Sequence, residues 1–395
     1  MKVAAVFWGP QPSAGGLYTF GESLFDALQE LAPASRHEFV YYVAGTRGDR
    51  ARHLVEIPTT RRYRYRRNAI YLLRDIVVHA GALHGRPRTW FERSLAEQRI
   101  QLVWFATTYV ERCDAPFVFT VFDIEHARQP WFPEVSAHGE WERREQHLNR
   151  YIRKASRVIV PSIAGREQVV HHFRVDPERV LCLPHPTSAF AHKAAMLEPQ
   201  PRTTIERFGV GERYLLYPAQ FWAHKNHATL LDAVARLGRD GGSPYELVLV
   251  GSDKGQLPYV QGLAREAGVI DRVHFLGLVE PDDLVALYQH AHALTYVSFF
   301  GPENLPPLEA FALGCPVIAA DVPGAREQMG DAAILVAPTA SEGIAEAVRR
   351  LEDADLRRRL TALGRERADA LTPEAYVLGV LEFLDEFERT RGCWP

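Results

Sequence analysis

Short apolar runs of strand length alternate with stretches of helical spacing along this chain of 395 residues. No other feature limits its fold as much. In the first half the runs are KVAAVFW, EFVYYVAG, LVWFAT, FVFTVFD and VIVPS. In the second they are YLLYPAQ, YELVLVG, VHFLGLV, LTYVS, PVIAAD and AILVA. Such near-continuous apolarity belongs to strands buried on both faces, and parallel strands of that kind need helical crossovers. HATLLDAVARLG, YVQGLAREAG, DDLVALYQHA and EGIAEAVRRLEDADL have that spacing. The expected class is α/β, with two tandem Rossmann-like, doubly wound domains facing each other across a cleft. AHKAAMLEPQPRTTIERFGVGER carries no strand signal and is the expected linker, which bounds the domains at 1–195 and 205–372.

The length suits two domains, and 47% hydrophobic with 24% charged residues suits globular cores. Residues 1–200 carry 27 Lys/Arg against 21 Asp/Glu, a net +6, while residues 201–395 carry 19 against 28, a net −9. The basic half either meets a polyanionic or membrane-surface partner or shows ordinary charge scatter. Its densest stretch is RRYRYRR, Arg61 to Arg67. That pattern grips phosphates or anionic headgroups, stacks on nucleic-acid bases, or is a solvated loop or edge strand. The acidic balance of the whole chain argues against nucleic acid. Cys113, Cys182, Cys315 and Cys393 form no CxxC pair, which favours a reduced, cytoplasmic chain. Gly9-Pro10 ends the first apolar run too early for a signal peptide, and no run reaches about 18 apolar residues. Any membrane contact is therefore expected to be peripheral, at the inner face of the plasma membrane.

FFGPENLPPLEAFALGCPV, Phe299 to Val317, follows the run LTYVS. Its loop leaves the carboxyl end of a strand, where ligands of open α/β sheets bind. Pro307 fits the first turn of a following helix. Asn304, Leu305 and the residues after them are expected to offer unpaired backbone N–H groups to an anion such as a phosphate. Glu309, placed in the first turn, either caps the helix or accepts hydrogen bonds from a ribose diol. Gly314 suits the helix end. Gly15 and Gly16, after the first strand, either admit a ligand close to backbone or simply form a turn.

PENLPPLEAFALGCPVIAADVPGAREQMGDAAILVAP resembles the nucleotide-sugar signature of family 4 glycosyltransferases, which have the two-domain GT-B fold. YPAQFWAHKNHATLLDAVARL resembles the family's phosphate-binding segment, and VHFLGLVEPDDLVALYQHAHALTYVS the base-contacting region, with Leu278 in it. VFDIEHARQPWFPEVS resembles the acceptor-side motif of one bacterial branch, and VIVPSIAGREQVVHHFRVDPERVLCLPHP also fits. The resemblance implies that residues 1–195 bind the acceptor, 205–372 bind the nucleotide sugar, and 373–395 form a helix crossing back to the first domain. It implies that Lys225 binds the diphosphate, Glu309 the ribose, and Gly15 and Gly16 the loop that closes on the phosphates. Three positions depart from the pattern. Gln220 stands where the family usually has an arginine, Phe122 where it often has a histidine, and Gly301 where its first glutamate falls. Glu303 either reaches the donor sugar by another loop path or faces solvent. His224 is a further source of charge if protonated. Asp123 and His126 either orient acceptor or donor hydroxyls or form a structural Asp–His hydrogen bond.

The activity so implied is a retaining glycosyltransferase, moving a hexose-type sugar from a nucleoside diphosphate to a hydroxyl of a glycan or lipid-linked acceptor. A bacterial surface polysaccharide is the implied setting. The alternatives are a sugar-nucleotide epimerase of the same fold and a non-catalytic nucleotide-sugar-binding subunit. No cofactor or metal is expected. His224 with His227, and His126 with Asp123, lack a third ligand, and the DxD of Asp353 to Asp355 lies in a charged helical segment.

Overall fold

In the computed structural model, residues 1–8, 15–44, 53–79, 87–239, 245–301 and 304–394 are described, without side chains for 76–79 and 239. Glu303 lies outside them.

Two all-parallel sheets organise the chain. The first holds β1 (Lys2–Trp8), β2 (Glu38–Ala44), β3 (Leu54–Ile57), β4 (Leu102–Phe105), β5 (Phe117–Thr120), β6 (Arg157–Val160) and β7 (Val180–Cys182), in the order β3-β2-β1-β4-β5-β6-β7. The second holds β8 (Tyr214–Pro218), β9 (Glu246–Val250), β10 (Val273–Gly277), β11 (Ala293–Tyr296), β12 (Val317–Ala320) and β13 (Ala333–Val336), in the order β10-β9-β8-β11-β12-β13. In each sheet the order reverses direction beside the first strand in sequence. The carboxyl ends of β1 and β8 therefore stand at a crevice, the place where such sheets bind ligands.

The apolar runs become the central strands because both faces are covered. Val3 to Val6 are fully buried and Phe7 is 1% exposed. One face of the first sheet packs against Phe20, Leu24, Phe25 and Leu28 of the helix Gly16–Leu31. The same cluster holds Tyr376, Val377, Val380, Phe383 and Leu384 of the helix Pro373–Arg391. That last helix starts where Thr372 Oγ1 accepts the Ala375 N–H, with Pro373 in its first turn. The Thr120 and Tyr376 hydroxyls share a hydrogen bond of 3.1 Å, and Arg36 pairs with Asp385 at 2.6 Å. The last helix of the chain is thus bonded to the first sheet.

One expectation for residues 47–99 is corrected. Arg61 to Arg67 open a helix, Arg61–His79, and are neither loop nor edge strand. Its spacing was legible: Tyr63, Arg67 and Tyr71, four residues apart, all bond the buried carboxylate of Glu111, at 3.5, 3.0 and 2.7 Å. One of the five arginines is therefore held inward. β3 and β7 were not anticipated. They have four and three residues at the two sheet edges, too short for periodicity to mark them.

Candidate nucleotide-sugar site

A cleft of about 380 Å³ opens between the two sheets. Gly15, Gly16, Phe20 and Phe122 line it from the first, and Gln220, Lys225, Gly251, Leu278, Tyr296, Asn304, Leu305 and Glu309 from the second. Gly15 has φ +64, and a Cβ on it would lie 3.7 Å from Gln220 Nε2. A Cβ on Gly16 would lie 3.4 Å from Leu305 Cδ1. The glycine pair thus brings the start of the first helix against the second domain's loops.

Lys225 ends the short 3-10 turn Ala223–Lys225 after β8. Asn226, at φ +58, closes that turn, its amide bonding Val297 O at 3.0 Å and Pro338 O at 2.7 Å. Lys225 Nζ donates to the Tyr296 hydroxyl at 2.7 Å, and that hydroxyl donates to Asn304 Oδ1 at 3.2 Å. Lys225 is the one Lys or Arg, and Glu309 the one Asp or Glu, among the cleft-lining residues described. Gln220 Oε1 accepts the Trp222 indole N–H at 3.0 Å, so it presents an amide where the resemblance implied a guanidinium. His224 adds no charge. It is buried, and desolvation pulls its pKa down to about 4 despite the Glu134 carboxylate beside it, so the ring is neutral at pH 7.

The helix Leu305–Ala312 differs from expectation in two ways. Asn304 precedes it, but the Asn304 N–H is taken by Gln328 Oε1 at 3.1 Å, and Gln328 Nε2 donates to Asn304 O at 2.7 Å. Pro306 and Pro307 carry no N–H, so Leu305 and Leu308 hold the only backbone donors of the first four positions. Glu309 is the fifth helical residue and caps nothing. Its buried carboxylate accepts Ser188 Oγ–H at 2.6 Å and the Tyr288 hydroxyl at 2.8 Å, and burial raises its pKa. Removing it would leave two enclosed hydroxyls without acceptor, so Glu309→Ala does not leave the fold untouched. The helix ends as expected, with Gly314 at φ +73.

At residue 301 the family's first glutamate is excluded by shape. A Cβ there would lie 2.7 Å from Pro323 O and 3.0 Å from Val322 Cγ2.

A second cavity of about 280 Å³ joins the first at Leu17 and Phe122 and is lined by Tyr109, Asp123, His126, Arg143, Arg144 and His147. Asp123 and His126 share it without bonding each other. Asp123 accepts the Glu125 N–H at 2.9 Å, while the His126 Nε2–H pairs with Glu145 at 3.0 Å. Tyr109 is half exposed, its ring 5.2 Å from that of Trp8. Glu140 pairs with both Arg143, at 2.6 Å, and Arg144, at 2.7 Å. Asp353 caps the helix Ala354–Ala370 through the N–H groups of Asp355 and Leu356, so the DxD serves the helix start.

Sequence reasoning missed Tyr296, Gln328, Ser188, Tyr288 and Glu134. Tyr296 ends a strand beside the signature, which was a usable signal. Gln328, Tyr288 and Glu134 lie inside the segments that carry the resemblance, but nothing in the sequence marked their partners; Ser188 lies outside those segments and had no signal.

Two parallel α/β domains facing a cleft at their switch points define the GT-B class. WaaG, a glycosyltransferase involved in lipopolysaccharide biosynthesis, superposes with a TM-score of 0.70 at 21% identity, covering 95% of this chain and 98% of WaaG. Anabaena HepE, solved in complex with UDP and glucose, gives 0.67 at 17% identity over 98% and 100%. Residues 200–367, most of the second domain, match the family model of glycosyl transferases group 1. The O-antigen chain mannosyltransferase B of Escherichia coli is 26% identical over 232 residues, 57% of this chain and 59% of the relative. The chain thus spans less than two thirds of that relative's length. The resemblance to family 4 glycosyltransferases, read above from the signature, agrees with the family match and with the mannosyltransferase relative.

Proposed function

We propose that the protein is a retaining glycosyltransferase that moves a hexose from a nucleoside-diphosphate donor to a hydroxyl of a glycan or lipid-linked acceptor in surface-polysaccharide assembly. One observation carries the proposal. Gly15, Gly16, Gln220, Lys225, Leu278, Asn304, Leu305 and Glu309, scattered over almost 300 residues, converge on one cleft between two domains. The Lys225 ammonium stands where charge builds on a leaving diphosphate. The protein contributes position and charge, and the leaving phosphate takes the acceptor proton on the same face of the sugar. No protein nucleophile and no metal enters this scheme. The adjoining cavity, with Tyr109, Asp123 and His126, is the acceptor side. The mannosyltransferase relative supports a hexose donor.

The test is a calorimetric screen against nucleoside diphosphates of different bases, followed by transfer assays with the matching sugar nucleotides. One diphosphate is expected to bind and its sugar to be transferred with retention. Failure of every diphosphate to bind overturns the site. Isomerised donor without acceptor would instead make the protein an epimerase, and tight binding without turnover a binding subunit.

The exposed arginines Arg61, Arg62, Arg64 and Arg66 share their helix with exposed Tyr65, Leu72 and Leu73. We assign this face to contact with an anionic membrane, at the cytoplasmic side. Among the described residues no helix is long and apolar enough to cross one. Changing the four arginines to glutamine is expected to weaken binding to phosphatidylglycerol vesicles by up to about a thousandfold, at roughly 1 kcal/mol per residue. Unchanged vesicle binding would remove this contact.

A further inference from the structure

The acceptor-side segment and the diphosphate-binding turn meet across the domain boundary through one carboxylate. Glu134 lies in the short helix Pro133–Ser136 of the first domain, its side chain 6% exposed. Its Oε1 accepts the backbone N–H of His224 at 2.8 Å and also the His224 Nδ1–H. Nδ1 carries the proton because a carboxylate faces it and the ring is neutral. Around this bond the two domains share an aromatic cluster. The His224 ring stacks on Phe300 at 3.9 Å and 9°, and Phe132 packs on Phe299 and Phe300 at 5.5 and 5.2 Å. Gln129 Nε2 adds a hydrogen bond to Phe299 O at 3.0 Å.

His224 is the residue before Lys225. From the second domain the turn is held by Asn226, by the Phe299 N–H on His224 O at 2.9 Å, and by the Tyr217 hydroxyl on Lys225 O. From the first domain it is held by Glu134. A carboxylate accepting two N–H bonds in a nearly dry contact is a strong and directional tether, and a charge-assisted one. Domain contact and the placing of the lysine are therefore linked through three covalently consecutive groups: the His224 ring, its N–H and the Lys225 backbone.

We infer that Glu134 is a positioning residue for the donor. It fixes the turn Ala223–Lys225 when the domains are closed and so sets the Lys225 ammonium against the terminal phosphate of a nucleoside diphosphate. This rests on the function proposed above. A contact that merely joined the domains would affect all nucleotide ligands alike. A positioning contact acts on the phosphate that Lys225 reaches.

The experiment compares the full chain with Glu134→Ala and with the isosteric Glu134→Gln. For each, dissociation constants are measured by calorimetry for the nucleoside diphosphate that binds the wild type and for the corresponding monophosphate, and the thermal midpoint is recorded. Glu134→Ala is expected to weaken the diphosphate about tenfold, a loss of the size that one charge-assisted contact gives, and the monophosphate less than about twofold. Glu134→Gln, whose amide oxygen still accepts both N–H groups, is expected to recover most of that loss. If Glu134→Ala does not fold, Glu134→Asp, whose carboxylate falls one methylene short of the His224 N–H groups, decides: a loss confined to the diphosphate supports the inference, and no selective loss overturns it. Equal weakening of both ligands, or no weakening, also overturns it. A wild type that binds no nucleoside diphosphate would fail earlier and bring down the proposed function itself.

Discussion

Lys225→Ala is expected to lower sugar transfer about 10²–10³-fold with the fold retained. Losing one preorganised group that stabilises transition-state charge typically costs that much, roughly 3–4 kcal/mol. The effect should be at the upper end here, because no other lysine or arginine lines the described cleft and Gln220 offers only an amide. Folding loses little: Lys225 gives up one hydrogen bond to Tyr296, worth about 1 kcal/mol, and its stem is only partly buried. Initial rates at saturating donor, beside a thermal melt, measure both. A wild-type rate would mean that another group carries the leaving charge. Glu309 is a poorer probe, since its carboxylate also satisfies Ser188 and Tyr288. An alanine there mixes a binding loss with about 1–3 kcal/mol for each orphaned hydroxyl, so Glu309→Gln is the cleaner variant.

Gly301→Glu is expected to lower transfer roughly 10- to 100-fold, although it restores the glutamate that the family signature leads one to look for. The obstacle is the Cβ, which would lie 2.7 Å from the carbonyl oxygen of Pro323. Backbone cannot yield there without displacing Gly301 or Pro323. Forcing atoms into a packed place of this kind costs about 1–3 kcal/mol. Asn304, three residues along the chain, would be disturbed, and its side chain holds Tyr296 and its backbone Gln328. Gly301→Ala should lose nearly as much activity, since it carries the same Cβ. Assays of the two variants side by side check this. Undiminished transfer by the glutamate variant would show that the loop gives way freely and that shape does not exclude a side chain.

The sequence by itself determined the α/β class, eleven of the thirteen strands among the described residues and eight of the residues that line the cleft, though not Tyr296. Strands buried on both faces must be nearly all apolar, and loops at the carboxyl ends of parallel strands must converge where strand order reverses. Those are local and topological rules, so one sequence carries them. Tertiary structure decided the rest. It placed Glu309 in the second helical turn with Ser188 and Tyr288, gave the Asn304 N–H to Gln328, and turned the Arg61 segment into a helix bonded to Glu111. It also set Glu134 of one domain on His224 of the other, 90 residues away. Hydrogen-bond partners between distant segments depend on which side chains packing brings within 3 Å, and no periodicity along the chain records that distance.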